Sequence, residues 1–492
     1  MKKKTKDLTM NDEFELRGNW WIPGTPECTV GGILNYDSNS INLQLLGCLD
    51  DHDDAYKYDI IQGITEEGEP ITLCDGFLSK WNQSGIVRTQ TFTFNKFILG
   101  KHFDSFDEIE FHSLSISYSS LEDWLSFSPF KKSTEHENNK LTKATLSYEF
   151  PPTFEAYIKS KKTKIKTGCT FSSSGNLHKS HGYTHKATID ILPDEPMDLE
   201  WFFSMSHEIK DFLTLLSNRA IYPKQLKAKG NIINEKYKIR ESFTIFSLYY
   251  KKTIEKEIKP FEMCINFQMI KEDWENILNH WFTDPSYSSR KIYLQNLYDT
   301  EKTWETAYLD YAKALESLHR DTTGEVGQFL PDEVYEPLKN KMIESIQQGD
   351  MCKDTFNSLK NKLTSALKYA HHYGFERRIR DTFKGVDAQI KDIIFPNGIS
   401  QLKTFSSNIT TTRDYYTHYG EKPTYYFKDF DLYFVNSKLH IVLFYYFCTR
   451  LGINKELISQ LLARDHDLLY RLKMKTEQFS KFTKFTNQKA DS

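Results

Sequence analysis

From Phe14 to Ile191 the apolar residues come in short runs broken by Gly, Pro, Asn and Asp, as in GGILNYDSNSINLQLLG and VRTQTFTFNKFILG. That is the pattern of strands joined by turns. In the second run Phe92 and Phe94 alternate with Thr91, Thr93 and Asn95, and a period of two puts both rings on one face of a half-buried sheet. Past HKATIDILPDEP the spacing changes, and Leu199, Phe202, Phe203, Phe212, Leu213, Leu215 and Leu216 predict a helix before mixed character returns through Asn266. Residues 10–290 therefore read as one β-rich α+β region, with a subdivision near the polar stretch 131–140.

From Trp304 the glycines thin out and the spacing turns helical in YAKALESLHR, PDEVYEPLKNKMIESIQ, FNSLKNKLTSALKYA and GFERRIRDTFKGVDAQIKDIIF. Pro331 suits a first helical turn, and Pro396-Asn397-Gly398 is a stop. The next helix ends at RDYYTHYG, where Gly420 is expected to take the left-handed position past the helix end. A long helix follows with Leu432, Val435, Leu439, Val442, Leu443 and Tyr446 on one stripe, stopped by Gly452. Short connections between such helices imply an antiparallel all-α bundle over residues 300–475, with a basic and aromatic tail at 476–492. The fold class expected is thus multidomain, β-rich α+β followed by all-α.

At 492 residues and a net charge of -3, the chain has room for two or three cores and lacks the global positive field of a protein that coats nucleic acid. Its seven cysteines are scattered without a CxxC pair, which suits a reducing cytoplasm and neither a disulfide framework nor a zinc knuckle. The longest apolar run, Ile441–Cys448, is too short to cross a bilayer. No GxGxxG, Walker A, HExxH or GxSxG element occurs, so the common nucleotide-binding and hydrolase readings fall away.

One pair carries chemistry: Arg413 and His418 alone are related as RxxxxH. The spacing by itself is weak, and an Arg and a His near a helix end commonly cap carbonyls or pair with acids. Context strengthens it, because Asp414 follows the arginine and Tyr416 and Tyr419 flank the histidine. RDYYTH resembles the R-[N/H/D]-x-x-x-H signature of the HEPN superfamily. The likeness is closest to ApeA-type abortive-infection proteins, through Lys313-Ala314-Leu315-Glu316-Ser317-Leu318, through RGNWWIPG (Arg17 to Gly24) and through VGGILNY (Val30 to Tyr36).

The resemblance implies a HEPN endoribonuclease of antiviral defence that cuts RNA, tRNA among the candidates, with no metal or other cofactor. It also implies a homodimer through the HEPN domain, two motif copies in one cleft, and control by the N-terminal region in response to a phage-derived trigger. Arg413 and His418 are then catalytic, with Asp414 and Glu316 in support. The chemistry fits: histidine serves as acid or base near neutrality, and a guanidinium grips phosphate without losing charge. Tyr416 and the tail residues Lys475, Lys481 and Lys484 are expected to touch RNA, although docking of the tail phenylalanines on the bundle explains that pattern equally. The rival from another class is a catalytically silent HEPN scaffold that binds RNA or a partner protein.

Weaker features have plainer readings. His178, His181 and His185 surround Gly182, expected at a hairpin turn, and read as surface histidines before a metal set. His371-His372 reads as a structural pair, Lys159–Lys166 as an exposed edge strand, and Asp50–Asp54 as a solvated loop.

Overall fold

The short apolar runs of the first half form antiparallel strands, and the alternation in them decides which face is buried. Six strands, β1 (Phe14–Trp21), β2 (Val30–Asp37), β3 (Ser40–Leu45), β4 (Lys57–Thr65), β5 (Pro70–Ser84) and β6 (Val87–Phe94), pair in the order β5-β4-β1-β2-β3-β6 and close through β5–β6 into a barrel. Leu34, Ile41, Leu43, Leu73, Phe92 and Phe94 lie in its core, so period two in β6 places both phenylalanines inside as expected. Trp20 lies across Gly63, where any Cβ would overlap the indole ring. The structure, a computed structural model, describes residues 5–49, 56–84, 87–176, 178–248, 258, 262, 264–323, 327–395 and 398–473. The chain divides into two units, residues 1–260 with 264–282, and residues 261–263 with 283–492.

In the first unit, β7 (Lys96–Leu99) pairs with β5 and carries the sheet away from the barrel. Beyond a short β8 (Glu110–Phe111), the extension contains β9 (Ser113–Tyr118), and the one-turn helix α1 (Leu121–Leu125) follows. Residues 131–140 belong to an exposed hairpin of β10 (Phe130–Glu137) and β11 (Lys140–Tyr148). Then come β12 (Glu155–Ile158), β13 (Thr163–Asn176), β14 (Ser180–Pro193) and the short β15 (Met197–Asp198). The predicted helix is α2 (Leu199–Ser217), opened by the Asp198 carboxylate, which accepts from Trp201 N at 2.7 Å. Strands β16 (Pro223–Asn234) and β17 (Ile239–Ser247) complete the order β7-β17-β16-β9-β14-β13-β12. Helices α3 (Phe267–Ile270) and α4 (Trp274–Thr283) close the unit, with Trp124 Nε1 donating to Ile265 O at 2.9 Å.

Two expectations are corrected here. Lys159–Lys161 form a 3-10 turn, and Lys164 and Lys166 sit on β13, which has β12 on one side and β14 on the other. The edge strand is β12, and the two lysines pair with its Glu155 at 2.9 and 3.6 Å. Gly182 lies within β14 opposite Ser174, because the hairpin turns earlier, after Asn176. His178 and His181 are exposed and His185 Nδ1 meets the Tyr148 hydroxyl at 2.9 Å.

The second unit is helical: α5 (Tyr287–Tyr298), α6 (Trp304–Thr323), α7 (Asp332–Glu344), α8 (Lys353–Leu367), α9 (Phe375–Gly385), α10 (Ala388–Ile394), α11 (Leu402–His418), α12 (Phe430–Arg450), α13 (Lys455–Arg464) and α14 (His466–Lys473). Pro331 is the N-cap of α7, and Gly452 follows α12 with φ +86°. Helix α6 packs against α5, α9, α11 and α12. The expected stripe of α12 is buried at Leu432, Val435, Leu439, Val442 and Leu443, yet Phe434, Ile441, Phe444 and Phe447 are buried too. It is a central helix, apolar on nearly every side. No helix among the described residues is long and apolar enough to cross a membrane. Asp50–Asp54, Pro396, Asn397 and the tail lysines Lys475, Lys481 and Lys484 lie outside the described residues.

Candidate functional site

Helix α11 is oriented by a buried stripe of Leu402, Ser406, Ile409, Thr412 and Tyr416, spaced by three or four residues. Tyr308 of α6 donates to Ile409 O at 2.6 Å. The Thr412 hydroxyl accepts from Phe427 N at 2.9 Å, and the Tyr416 hydroxyl donates to Phe427 O at 3.2 Å. Tyr416 is thus an interior residue whose hydroxyl is occupied. Its placement argues against the expected RNA contact.

With that face fixed, Arg413 becomes one wall of a cavity of about 620 Å³. Glu316 and Arg320 reach the same cavity from α6, Phe375 and Arg378 from α9, and His372 from the loop before α9. The Arg413 guanidinium lies 4.3 Å from the centroid of the Phe375 ring, close enough for a cation–π attraction. Its Nε is 3.5 Å from Asp414 Oδ1 and makes no hydrogen bond among the described residues. Glu316 accepts from Arg320 Nη2 at 2.5 Å, one turn along α6.

His418 is the last residue of α11 and is exposed. The helix ends there because Tyr419, at φ +45°, takes the left-handed conformation and returns its N–H to Tyr415 O at 2.7 Å. That position had been expected for Gly420, which has no positive φ. Ring contacts of Tyr419 with Tyr415 and Tyr416, at 5.8 and 6.2 Å between centroids, offset the strain. Five residues of ideal helix separate Arg413 from His418 by about 7.5 Å along the axis and about 140° around it. Accordingly His418 is not among the cavity-lining residues.

Arg413 and Glu316 therefore meet at one cavity, Asp414 stands beside Arg413 with its side chain half exposed, and His418 lies at the helix end. Arg320, Arg378 and His372 are among the lining residues that sequence reasoning did not single out as functional. A signal existed for Arg378, which falls with Phe375, Ile379, Thr382 and Phe383 on the buried stripe of α9, an unusual place for a guanidinium. Of the two adjacent histidines, His371 is structural, 2 % exposed, with Nε2 2.6 Å from Asp332 Oδ1. His372 faces the cavity, and burial, then the charges of His371 and Arg378, hold its pKa below that of ordinary histidine.

Neither curated proteins nor solved structures match the chain. Two protein families do, Apea-like HEPN over residues 309–457, which spans α9 and α11 and every residue of the cavity, and ApeA N-terminal domain 1 over residues 15–281, more than half of the chain. The chain belongs to the ApeA family, with a β-rich N-terminal domain followed by a HEPN domain.

Proposed function

We propose that the chain is an antiviral-defence endoribonuclease whose HEPN domain cuts RNA at a site built on Arg413 and His418. The observation that carries the reading is Arg413: an arginine of the expected motif, in the wall of a cavity that also holds Glu316, Arg320, His372 and Arg378, with Nε unused by any hydrogen bond among the described residues. Membership of the HEPN family supports a nuclease, and the ApeA domains support a role in defence.

The chemistry needs a base for the ribose 2′-OH, an acid for the departing 5′-oxygen and positive charge on the phosphorane between them. Arg413 supplies the charge, steadied by its contacts with Phe375 and Asp414. His418, exposed at the helix end, supplies the proton transfer. The reaction is a transesterification in which the 2′-oxygen displaces the 5′-oxygen, leaving a 2′,3′-cyclic phosphate and a 5′-OH. Because the two side chains diverge on one helix, a symmetric pair of HEPN domains is the arrangement that brings Arg413 of one chain toward the histidine of another. The N-terminal unit is the natural place for the trigger: exposed Arg17, Asn19, Gln44 and Glu66 border a depression of about 830 Å³ on the barrel.

The test uses the full chain. Wild type, Arg413→Ala and His418→Ala are incubated with total RNA in EDTA and the new ends are mapped. Cleavage by wild type alone, with cyclic phosphate ends, is the expected result. Equal cutting by all three removes the site, and RNA binding without cutting by any of them favours the silent scaffold.

A further inference from the structure

Arg378 is 4 % exposed, yet its hydrogen bonds are incomplete. Nε donates to Tyr373 O at 2.9 Å, while the buried Nη1 has no partner among the described residues. Buried guanidinium donors are normally satisfied, and leaving one unpaired costs free energy unless an acceptor arrives. The residue lines the same cavity as Arg413, with Arg320 and His372 beside it. Three guanidiniums and one carboxylate, Glu316, line that cavity, a formal balance of 3 − 1 = +2, and Glu316 is already engaged by Arg320. The other nearby carboxylates are taken as well. On α9, Glu376 pairs with Arg380 at 2.9 Å and Asp381 with Arg377 at 2.8 Å, and Asp332 is held by His371 at 2.6 Å.

We propose that Arg378, with Arg320 and His372, forms a second phosphate subsite that holds a backbone phosphodiester of the RNA strand next to the one met by Arg413. The proposal rests on the ribonuclease reading and deepens it, because one contacted phosphate does not fix the register of a strand and two do. Arg378 is suited to the task. Burial, reinforced by the positive charge of Arg320 and opposed by Glu316, disfavours its charged form, so an incoming anion relieves a repulsion already present. Tyr369 also lines the cavity with an exposed ring, a stacking surface for a base that free phosphate has no use for. A cavity near 620 Å³ falls in the range of about 300–1,000 Å³ that encloses small ligands and polymer segments.

The experiment measures binding of a fluorescein-labelled single-stranded RNA dodecamer to the full-length His418→Ala chain, in EDTA, across a salt series. Arg378→Gln in that background is expected to weaken binding about tenfold and to lower the slope of log K against log[salt] by about 0.7, one single-strand phosphate. Arg378→Lys, which keeps a charge, should recover part of both. Arg320→Gln changes an exposed side chain, and should weaken binding in the same direction even if Arg378→Gln fails to fold.

Unchanged affinity and slope in folded Arg378→Gln, or in Arg320→Gln where Arg378→Gln does not fold, overturns the proposal. So does a failure of the parent chain to bind RNA. Equal affinity for 5′-phosphorylated and 5′-hydroxyl dodecamers supports an internal phosphodiester, and a strong preference for the 5′-phosphate overturns it. If wild type, Arg413→Ala and His418→Ala cut alike, the ribonuclease site falls while the loss of slope in Arg378→Gln still stands. If the catalytic variants behave as expected and Arg378→Gln binds normally, the subsite alone falls.

Discussion

The Arg413 guanidinium sits 4.3 Å from the centroid of the Phe375 ring, and this contact ties the last turns of α11 to the first turn of α9 at the cavity wall. The ring gives the charge a fixed seat and, unlike a carboxylate, accepts no hydrogen bond from the edge of the guanidinium. Phe375→Leu keeps most of the buried volume and removes the ring quadrupole. A cation–π contact of this kind contributes about 0.5–1 kcal/mol, so RNA cleavage should fall roughly two- to fivefold. Single-turnover rates at matched folded fraction check this, and a rate equal to wild type would show that the ring does not position Arg413.

Adjacent histidines should separate stability from function. His371 is buried, stacked on Tyr335 at 4.1 Å and bonded to Asp332. His371→Gln should lower the melting temperature by about 3 °C and leave cleavage per folded molecule unchanged. His372→Gln should leave melting within about 1 °C and weaken RNA binding. The first hydrogen bond also has a pH signature. The His371 contact holds the Asp332 carboxyl below the ordinary aspartate range. Its contribution is therefore present above the unfolded aspartate value and is lost as pH falls through the folded one, so His371→Gln should flatten the acid limb of the stability curve.

How far the residues foretold this arrangement depends on the distance over which each signal acts. Helix α2 and the burial of Phe92 and Phe94 follow from periodicity within a few residues, and both were legible. Arg413 could be picked out as a candidate because its motif is local. The partners of Arg413 in the cavity come from α6 and α9, far away in sequence, and no local pattern links them. Strand β13 shows the same limit, since its lysines look like edge residues until β12 is seen to pair outside them. The helix end at His418 was anticipated, but the left-handed residue is Tyr419, whose ring contacts outweigh the usual preference for glycine.

Lys438 on α12 offers a test of burial alone. Its Nζ donates to Ile394 O at 2.7 Å and lies 5.4 and 5.6 Å from the centroids of Phe395 and Phe405, and burial pushes its pKa down to about 8. The unfolded lysine keeps its proton to near 10.5, so between about pH 8 and 10.5 the unfolded state binds more protons and stability rises with pH. Below about pH 8 both states are protonated and the penalty, about 3 kcal/mol, is present in full. Lys438→Met removes it but strips the Ile394 carbonyl of a donor at a cost of about 1 kcal/mol. The variant should therefore be more stable by about 2 kcal/mol at pH 7, with a gain that shrinks toward pH 10. Urea titrations at both pH values decide it, and a gain independent of pH would mean that Lys438 is not the titrating group.

The divergence of Arg413 and His418 on one helix leads to a prediction about mixtures. Suppose each active centre takes Arg413 from one chain and His418 from its partner. Arg413→Ala and His418→Ala homodimers are then both inactive. In a heterodimer of the two variants, one centre lacks both groups, whereas the other has an intact arginine from the His418→Ala chain and an intact histidine from the Arg413→Ala chain. Random exchange makes about half of the dimers heterodimers, each with one working centre of two, so the mixture should regain about a quarter of wild-type activity. Mixing the purified variants, allowing exchange and measuring RNA cleavage against time gives the answer. Recovery near that level places the two groups on different chains. No recovery, despite exchange shown by a tagged chain, means that each chain must bring both groups, either within one subunit or as two complete motifs in a common cleft.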